Sequence, residues 1–103
     1  MNLASRVYAK LKLVPTGKIT TYKLLAEVVG SKAYRVVGQV LANNPYAPIV
    51  PCHRVVRSDG KIGGFMGKKM GNEIERKKVM LKKEGLEFDG DKVVDFGKRL
   101  FKF

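Results

Sequence analysis

Cys52 and His53 stand side by side in Pro51-Cys52-His53-Arg54, and they are the chain's only cysteine and only histidine. The thiolate is the reactive form of cysteine, and a free thiol with a pKa of about 8.5 needs a base or a positive neighbour to supply it at neutral pH. Histidine is well suited to that role. Adjacent side chains on an extended backbone point to opposite faces, so contact between Cys52 and His53 requires a bridging water or a turn at this point. The imidazole then needs an orienting partner, for which a carboxylate is the usual choice. A lone cysteine cannot form an intramolecular disulfide, which fits a reducing compartment. One cysteine beside one histidine supplies too few ligands for a structural zinc site, and neither metal nor cofactor is expected. On residue type alone, Cys52 is either a nucleophile or a small buried hydrophobe.

The chain that must position this pair has 103 residues, 45% of them hydrophobic, which suits one globular domain over residues 1–103. No apolar run approaches the roughly 20 residues needed to span a bilayer. Met1-Asn2-Leu3-Ala4-Ser5-Arg6 lacks a charged start followed by an apolar stretch, so a soluble, cytoplasmic monomer is the expectation. The formal net charge is +12, of which residues 1–58 contribute +8, with Glu27 their one acidic residue. A basic face on a small domain attracts polyanions through counterion release. Solubility or adaptation to heat would also account for lysine enrichment, but the concentration in the first half favours nucleic acid.

The periodicity predicts a mainly helical fold. Leu3, Val7 and Leu11 mark an amphipathic helix over 3–13 that ends before Pro15. Thr21 caps a second helix, in which Tyr22, Leu25, Ala26 and Val29 share a face, and Gly30 stops it. Ser31 caps a third, with Ala33, Val36, Val37, Val40 and Leu41 inward and Arg35 and Gln39 outward. Two short helices joined by a glycine-containing turn form a helix-turn-helix pattern, although an αα-hairpin with no DNA role has the same signature. Pro45, Pro48 and Pro51 forbid a helix and stiffen the next segment, Ile49-Val50 suggests that it is buried, and Asn44 is suited to satisfying its backbone. Arg57-Ser58-Asp59-Gly60-Lys61 reads as a hairpin turn and Gly63-Gly64-Phe65 as a close-approach loop, together a small β wing. A last helix runs from about Asn72 to Glu84, with Ile74 and Leu81 on one face, Glu73 and Lys77 paired, and Gly85 as its stop. Val93, Val94, Phe96, Leu100, Phe101 and Phe103 are available to pack back.

Pro51-Cys52-His53-Arg54-Val55-Val56 resembles the active-site signature of the O6-alkylguanine-DNA alkyltransferases. Thr20-Thr21-Tyr22, Arg35-Val36-Val37-Gly38, Asn44-Pro45, Gly63-Gly64-Phe65 and Glu84-Gly85 resemble further landmarks of that family in order and near-matching spacing. The resemblance covers about residues 3–90 and implies a winged helix-turn-helix domain that acts on double-stranded DNA containing O6-alkylguanine. It implies Cys52 as the alkyl acceptor, His53 as the base acting through a water, and Glu84 as the carboxylate orienting it. Asn44 ties down the active-site loop, and Tyr22 donates to the departing guanine. Arg35 fills the gap left by the flipped base, with Gly38 allowing close approach to the minor groove and Thr21, Gln39 and Leu41 beside them at the DNA. Pro51, Val55, Phe65 and Met66 surround the base pocket.

The sequence departs from the family pattern where Phe65 replaces a frequent tyrosine and Met66 a small hydroxyl residue. The segment around Gly67-Lys68-Lys69-Met70-Gly71 is several residues longer than usual, and the N-terminal domain common in the family is absent before residue 1. A related group of short lesion-binding proteins keeps the fold but replaces the acceptor cysteine, often with tryptophan. The presence of Cys52 argues for transfer over binding alone. A helix-turn-helix regulator with an inert Cys52, and a cysteine hydrolase, are the remaining alternatives.

Overall fold

The computed structural model describes residues 2–32, 34–47, 49–64 and 71–103. Ala33, Pro48, Phe65, Met66 and the 67–70 segment, all named in the sequence reading, lie outside the described residues. Helix α1 (Leu3–Leu11) is capped by Asn2, whose side chain accepts from the Ser5 amide at 2.8 Å. It is shorter than the periodicity predicts. The amides of Leu13 and Val14 bond to carbonyls only three residues back, tightening the chain ahead of Pro15. Leu13 is thereby turned outward and Val14 into the core.

The two-residue strand β1 (Thr20–Thr21) leads directly into α2 (Tyr22–Val28), and the Thr21 hydroxyl accepts from the Leu24 amide as an N-cap. Gly30 adopts φ +73°, the left-handed stop expected there. Helix α3 (Tyr34–Ala42) begins three residues beyond Ser31. Val37 and Leu41 are buried, Val40 is partly so, and Val36 is 41% exposed rather than inward. A step of about 100° per residue carries Val36 off the edge of a stripe centred on Val37 and Leu41. Arg35 and Gln39 face solvent, as the pattern predicts.

Helices α1, α2 and α3 enclose the main core, in which Val7, Leu11, Val14, Leu25, Ala26, Val37 and Leu41 pack with Val50, Cys52 and Val55. Burying each such side chain fully stabilises the fold by about 1.5–3 kcal/mol. Strand β1 pairs in parallel with β2 (Val55–Val56), in the register Thr20 to Val55 and Thr21 to Val56. This ladder ties the start of α2 to the segment just after Cys52.

Helix α4 (Asn72–Lys83) ends at Gly85, with φ +97°. Its Leu81 joins Ile19, Val56, Leu86 and Val93 in a second core cluster, flanked by Phe88 and Phe96. The chain closes with the antiparallel pair β3 (Phe88–Asp89) and β4 (Lys92–Val93) and the short helix α5 (Phe96–Arg99). Of the tail residues expected to pack back, Val93 is buried and Phe103 is 40% exposed. The result is a mainly helical domain with two small sheets. No helix among the described residues is long and apolar enough to cross a membrane.

Candidate active site

The segment leading to Cys52 is held from below by Asn44. Its side-chain amide donates to the Val50 carbonyl and its Oδ1 accepts from the Tyr46 amide, both at 2.9 Å, and the residue is buried. One side chain thus satisfies two backbone groups of a proline-rich segment, alongside the segment's own bonds from the Val50 amide to the Tyr46 carbonyl and from the Cys52 amide to the Val50 carbonyl. Val50 is buried as expected, but Ile49 is 77% exposed, so the segment is buried along one side only.

Residues Cys52–Arg54 form one turn of 3-10 helix, with the Arg54 amide donating to the Pro51 carbonyl at 2.9 Å. This is the turn that sequence geometry requires, because it brings neighbouring side chains off the opposite faces of an extended strand. Cys52 and His53 are both buried. His53 Nε2 lies 2.7 Å from Glu84 Oε2. Arg54 grips the same carboxylate with two bonds, Nε to Oε1 at 2.8 Å and Nη2 to Oε2 at 2.9 Å. It is itself fixed by the Val14 carbonyl at 2.8 Å and the Thr16 hydroxyl at 3.0 Å.

The charge states follow from these contacts. Burial pushes the Glu84 carboxyl up, but the donors of Arg54 and His53 outweigh that and hold it below its ordinary value. Glu84 is therefore an ionised acceptor, and His53 Nε2 carries the proton that it accepts. Burial pulls His53 below the ordinary imidazole value, against the pull of Glu84 in the other direction, and Arg54 and Lys77 also lower it. The ring is neutral at pH 7, with its lone pair on Nδ1. Nδ1 is buried and has no hydrogen-bond partner among the described residues. A fixed, neutral imidazole with an open lone pair, next in sequence to the sole thiol, can take a proton from that thiol.

The sequence agrees with this geometry. The family model of the 6-O-methylguanine DNA methyltransferase DNA-binding domain matches residues 2–86. The chain belongs to that family. The methylated-DNA–protein-cysteine methyltransferase of Pyrobaculum aerophilum is 49% identical over 72 residues, covering 70% of this chain and 45% of the relative. That of Sulfolobus acidocaldarius is 36% identical over 88 residues, covering 85% of this chain and 52% of the relative. The chain thus spans about half the length of these relatives. Among solved structures, S. pombe Atl1 in complex with damaged DNA containing O6-carboxymethylguanine matches over the whole of both chains, with a TM-score of 0.80 and 26% identity. Mycobacterium tuberculosis OGT in complex with DNA matches 82% of this chain and 50% of its own, with a TM-score of 0.71 and 36% identity.

Within this family member, the structure gathers Cys52, His53 and Glu84 around one turn, with Asn44 holding the segment that leads to it. Tyr22 closes the opposite side, its hydroxyl donating to the Gly64 carbonyl at 3.2 Å. Burial raises its pKa to about 12, and the Cys52 thiol adds to that, so it stays a donor. Gly63 lies between Tyr22 and Arg57, and with φ +71° and Arg57 Cγ 3.2 Å from where a Cβ would stand, only glycine fits without strain. Pro51 and Val55 are buried. The side chains of Leu41 and Thr21 are not presented to solvent. Leu41 is core, and Thr21 is 3% exposed with its hydroxyl spent on the helix cap. Gly38 is half-buried on α3, with nothing within 4 Å of a Cβ placed there.

Two site residues escape the sequence reading. Arg54 belongs to the motif, but its grip on Glu84 required the fold. Lys77 is the larger correction. The sequence pairs it with Glu73 on the surface, yet Glu73 pairs with Arg76 at 3.3 Å and Lys77 is fully buried. Its ammonium donates to the carbonyls of Val55 at 2.6 Å, Ile62 at 2.5 Å and Gly64 at 2.8 Å. Burial pulls its pKa down to about 7, with the Cys52 thiol opposing. A signal was present, because Lys77 sits in line with Ile74 and Leu81, on the apolar stripe of α4.

Proposed function

We propose that this chain repairs DNA by accepting an alkyl group from O6 of guanine onto Cys52, acting as a winged helix-turn-helix domain over residues 1–103. The observation that carries the reading is His53, buried and neutral, with Nε2 held by Glu84 and Nδ1 open. In the proposed step the Sγ–carbon bond forms as the carbon–O6 bond breaks. The thiol proton passes to Nδ1, directly or through a water, and ends on the departing guanine, which leaves neutral. A thioether is stable, so each molecule reacts once. Tyr22 supplies a donor for the leaving base once its hydroxyl exchanges Gly64 for substrate. Supporting the DNA role, α3 presents Arg35 and Gln39 to solvent, the 57–61 turn lies beyond β2, and the net charge is +12. A base whose O6 is to be attacked must leave the stack, and in this reading the exposed Arg35 fills its gap.

Intact-protein mass spectrometry after mixing with a duplex carrying one O6-methylguanine tests this directly. The expected result is a stoichiometric gain of one methyl mass, absent from Cys52→Ala. A second reading has its own observation, the full-length match to S. pombe Atl1. Under that reading the chain binds the lesion without transferring it. Tight, lesion-selective binding with no mass gain would establish that alternative.

A further inference from the structure

Residues 87–103 lie beyond the family's matched domain, which ends at 86, and they are fastened to the elements that hold the site. The β3–β4 hairpin docks on the 57–62 turn. The Ile62 amide donates to the Asp91 carbonyl at 2.8 Å, and the Val93 amide donates to the Gly60 carbonyl at 3.0 Å. Further on, the tail runs parallel to Ile19, whose amide donates to the Arg99 carbonyl at 2.9 Å and whose carbonyl accepts from the Phe101 amide at 2.7 Å. It thereby adds an edge to the ladder in which Thr20 meets Val55.

Between these two attachments Arg99 reaches back. Its Nη2 donates to the Gly85 carbonyl at 3.1 Å and its Nη1 to the Gly17 carbonyl at 3.4 Å. Each glycine adjoins a residue that holds Arg54, since Glu84 precedes Gly85 and Thr16 precedes Gly17. Both are left-handed, with φ +87° for Gly17 and +97° for Gly85, and each turn is closed by its own backbone bonds, which leave the Gly17 and Gly85 carbonyls free to accept from Arg99. They also touch, because a Cβ on Gly17 would stand 3.5 Å from the Glu84 carbonyl oxygen.

We propose that Arg99 is a positioning residue that staples the Gly17 and Gly85 turns together and so fixes the Glu84 carboxylate against Arg54 and His53. Arg99 touches no reacting atom; it acts through Glu84, with one guanidinium nitrogen donating to each carbonyl. The inference rests on the proposed role of His53 as the base for Cys52.

The test follows Cys52 alkylation by iodoacetamide against pH, alongside single-turnover transfer from an O6-methylguanine duplex. For Arg99→Ala the expected result is transfer about tenfold slower, the scale of losing an orienting contact behind a reactive group. The pH profile of the thiol should move with it. Arg99→Lys keeps the charge but replaces two spread donor nitrogens with one, and should restore only part of the rate. In a Glu84→Gln background, Arg99→Ala should add less than twofold, because both changes break the same chain of contacts. A lowered melting temperature with an unmoved pH profile, or full additivity with Glu84→Gln, would reduce Arg99 to a structural brace and overturn the proposal. If the parent transfers no methyl from DNA, the repair reading fails, while the iodoacetamide profile still decides the role of Arg99.

Discussion

Lys77→Met gives the sharpest test of how the site is held together. Methionine approximates the length and volume of the lysine stem, so the change removes the ammonium with little repacking. Two contributions then compete. The carbonyls of Val55 and Ile62 lose a charge-assisted donor inside the protein, whereas Gly64 retains the Tyr22 hydroxyl. Leaving a buried acceptor without that donor costs about 1–3 kcal/mol each. Against this, the fold no longer has to desolvate a charge, and a methionine side chain recovers about 1–2 kcal/mol of apolar burial. At mid-range, about 4 kcal/mol for the two carbonyls against about 1.5 kcal/mol recovered, the carbonyls prevail for a net loss of about 2–3 kcal/mol. In a domain of this size that lowers the melting temperature by about 10–25 °C. Urea unfolding followed by circular dichroism measures it, with an unchanged slope showing that the same surface is exposed. Had Lys77 been the surface partner of Glu73 that helical spacing predicts, its removal would cost no more than about 0.5 kcal/mol. A measured loss below about 1 kcal/mol would refute the three-carbonyl clamp.

Three further outcomes are expected. Glu84→Gln should slow methyl transfer by about 10–100-fold in single-turnover assays, because a neutral amide neither selects the Nε2–H tautomer of His53 nor holds Arg54 as firmly. Because the folded His53 pKa lies below the ordinary 6.5, transfer should be level from pH 7 to 8 and fall as pH drops below 6.5 and the Nδ1 lone pair takes a proton. The same shift means the unfolded chain protonates first, so stability should also decline as pH falls through that range, and His53→Gln should flatten both dependences. Arg35→Ala should slow reaction with duplex by at least about tenfold while leaving reaction with a free O6-alkylguanine base unchanged, since only the duplex has a base to extrude. Equal losses on both substrates would place Arg35 elsewhere in the mechanism.

Helix positions, the glycine stops after α2 and α4, the Thr21 cap and the pairing of a sole cysteine with a sole histidine were all legible in the residues. Each depends on contacts between near neighbours in the chain, where spacing and side-chain type decide the outcome. Asn44 was legible for the same reason, since its acceptor and donor lie within six residues. Val36 and Ile49 show the limit of that reasoning. Whether an apolar side chain points into the core depends on where its neighbours lie in space, and a difference of one helical step separates buried Val37 from exposed Val36.

What the sequence determined by itself was the chemistry, a thiol with an imidazole beside it in a basic helical domain, and the family that carries the same landmarks. Tertiary structure alone decided how that imidazole is held. Glu84 lies 31 residues from His53, and Val14 lies 40 from Arg54. Closing such loops is possible only when a core forms around them, so no local pattern encodes the contact. Lys77 states the same point in reverse. By sequence it is one more charge among 21 basic residues. The burial of α4 against β2 and the 62–64 segment turned it into an internal ammonium, because a buried charge must be met by several acceptors, here the carbonyls of Val55, Ile62 and Gly64.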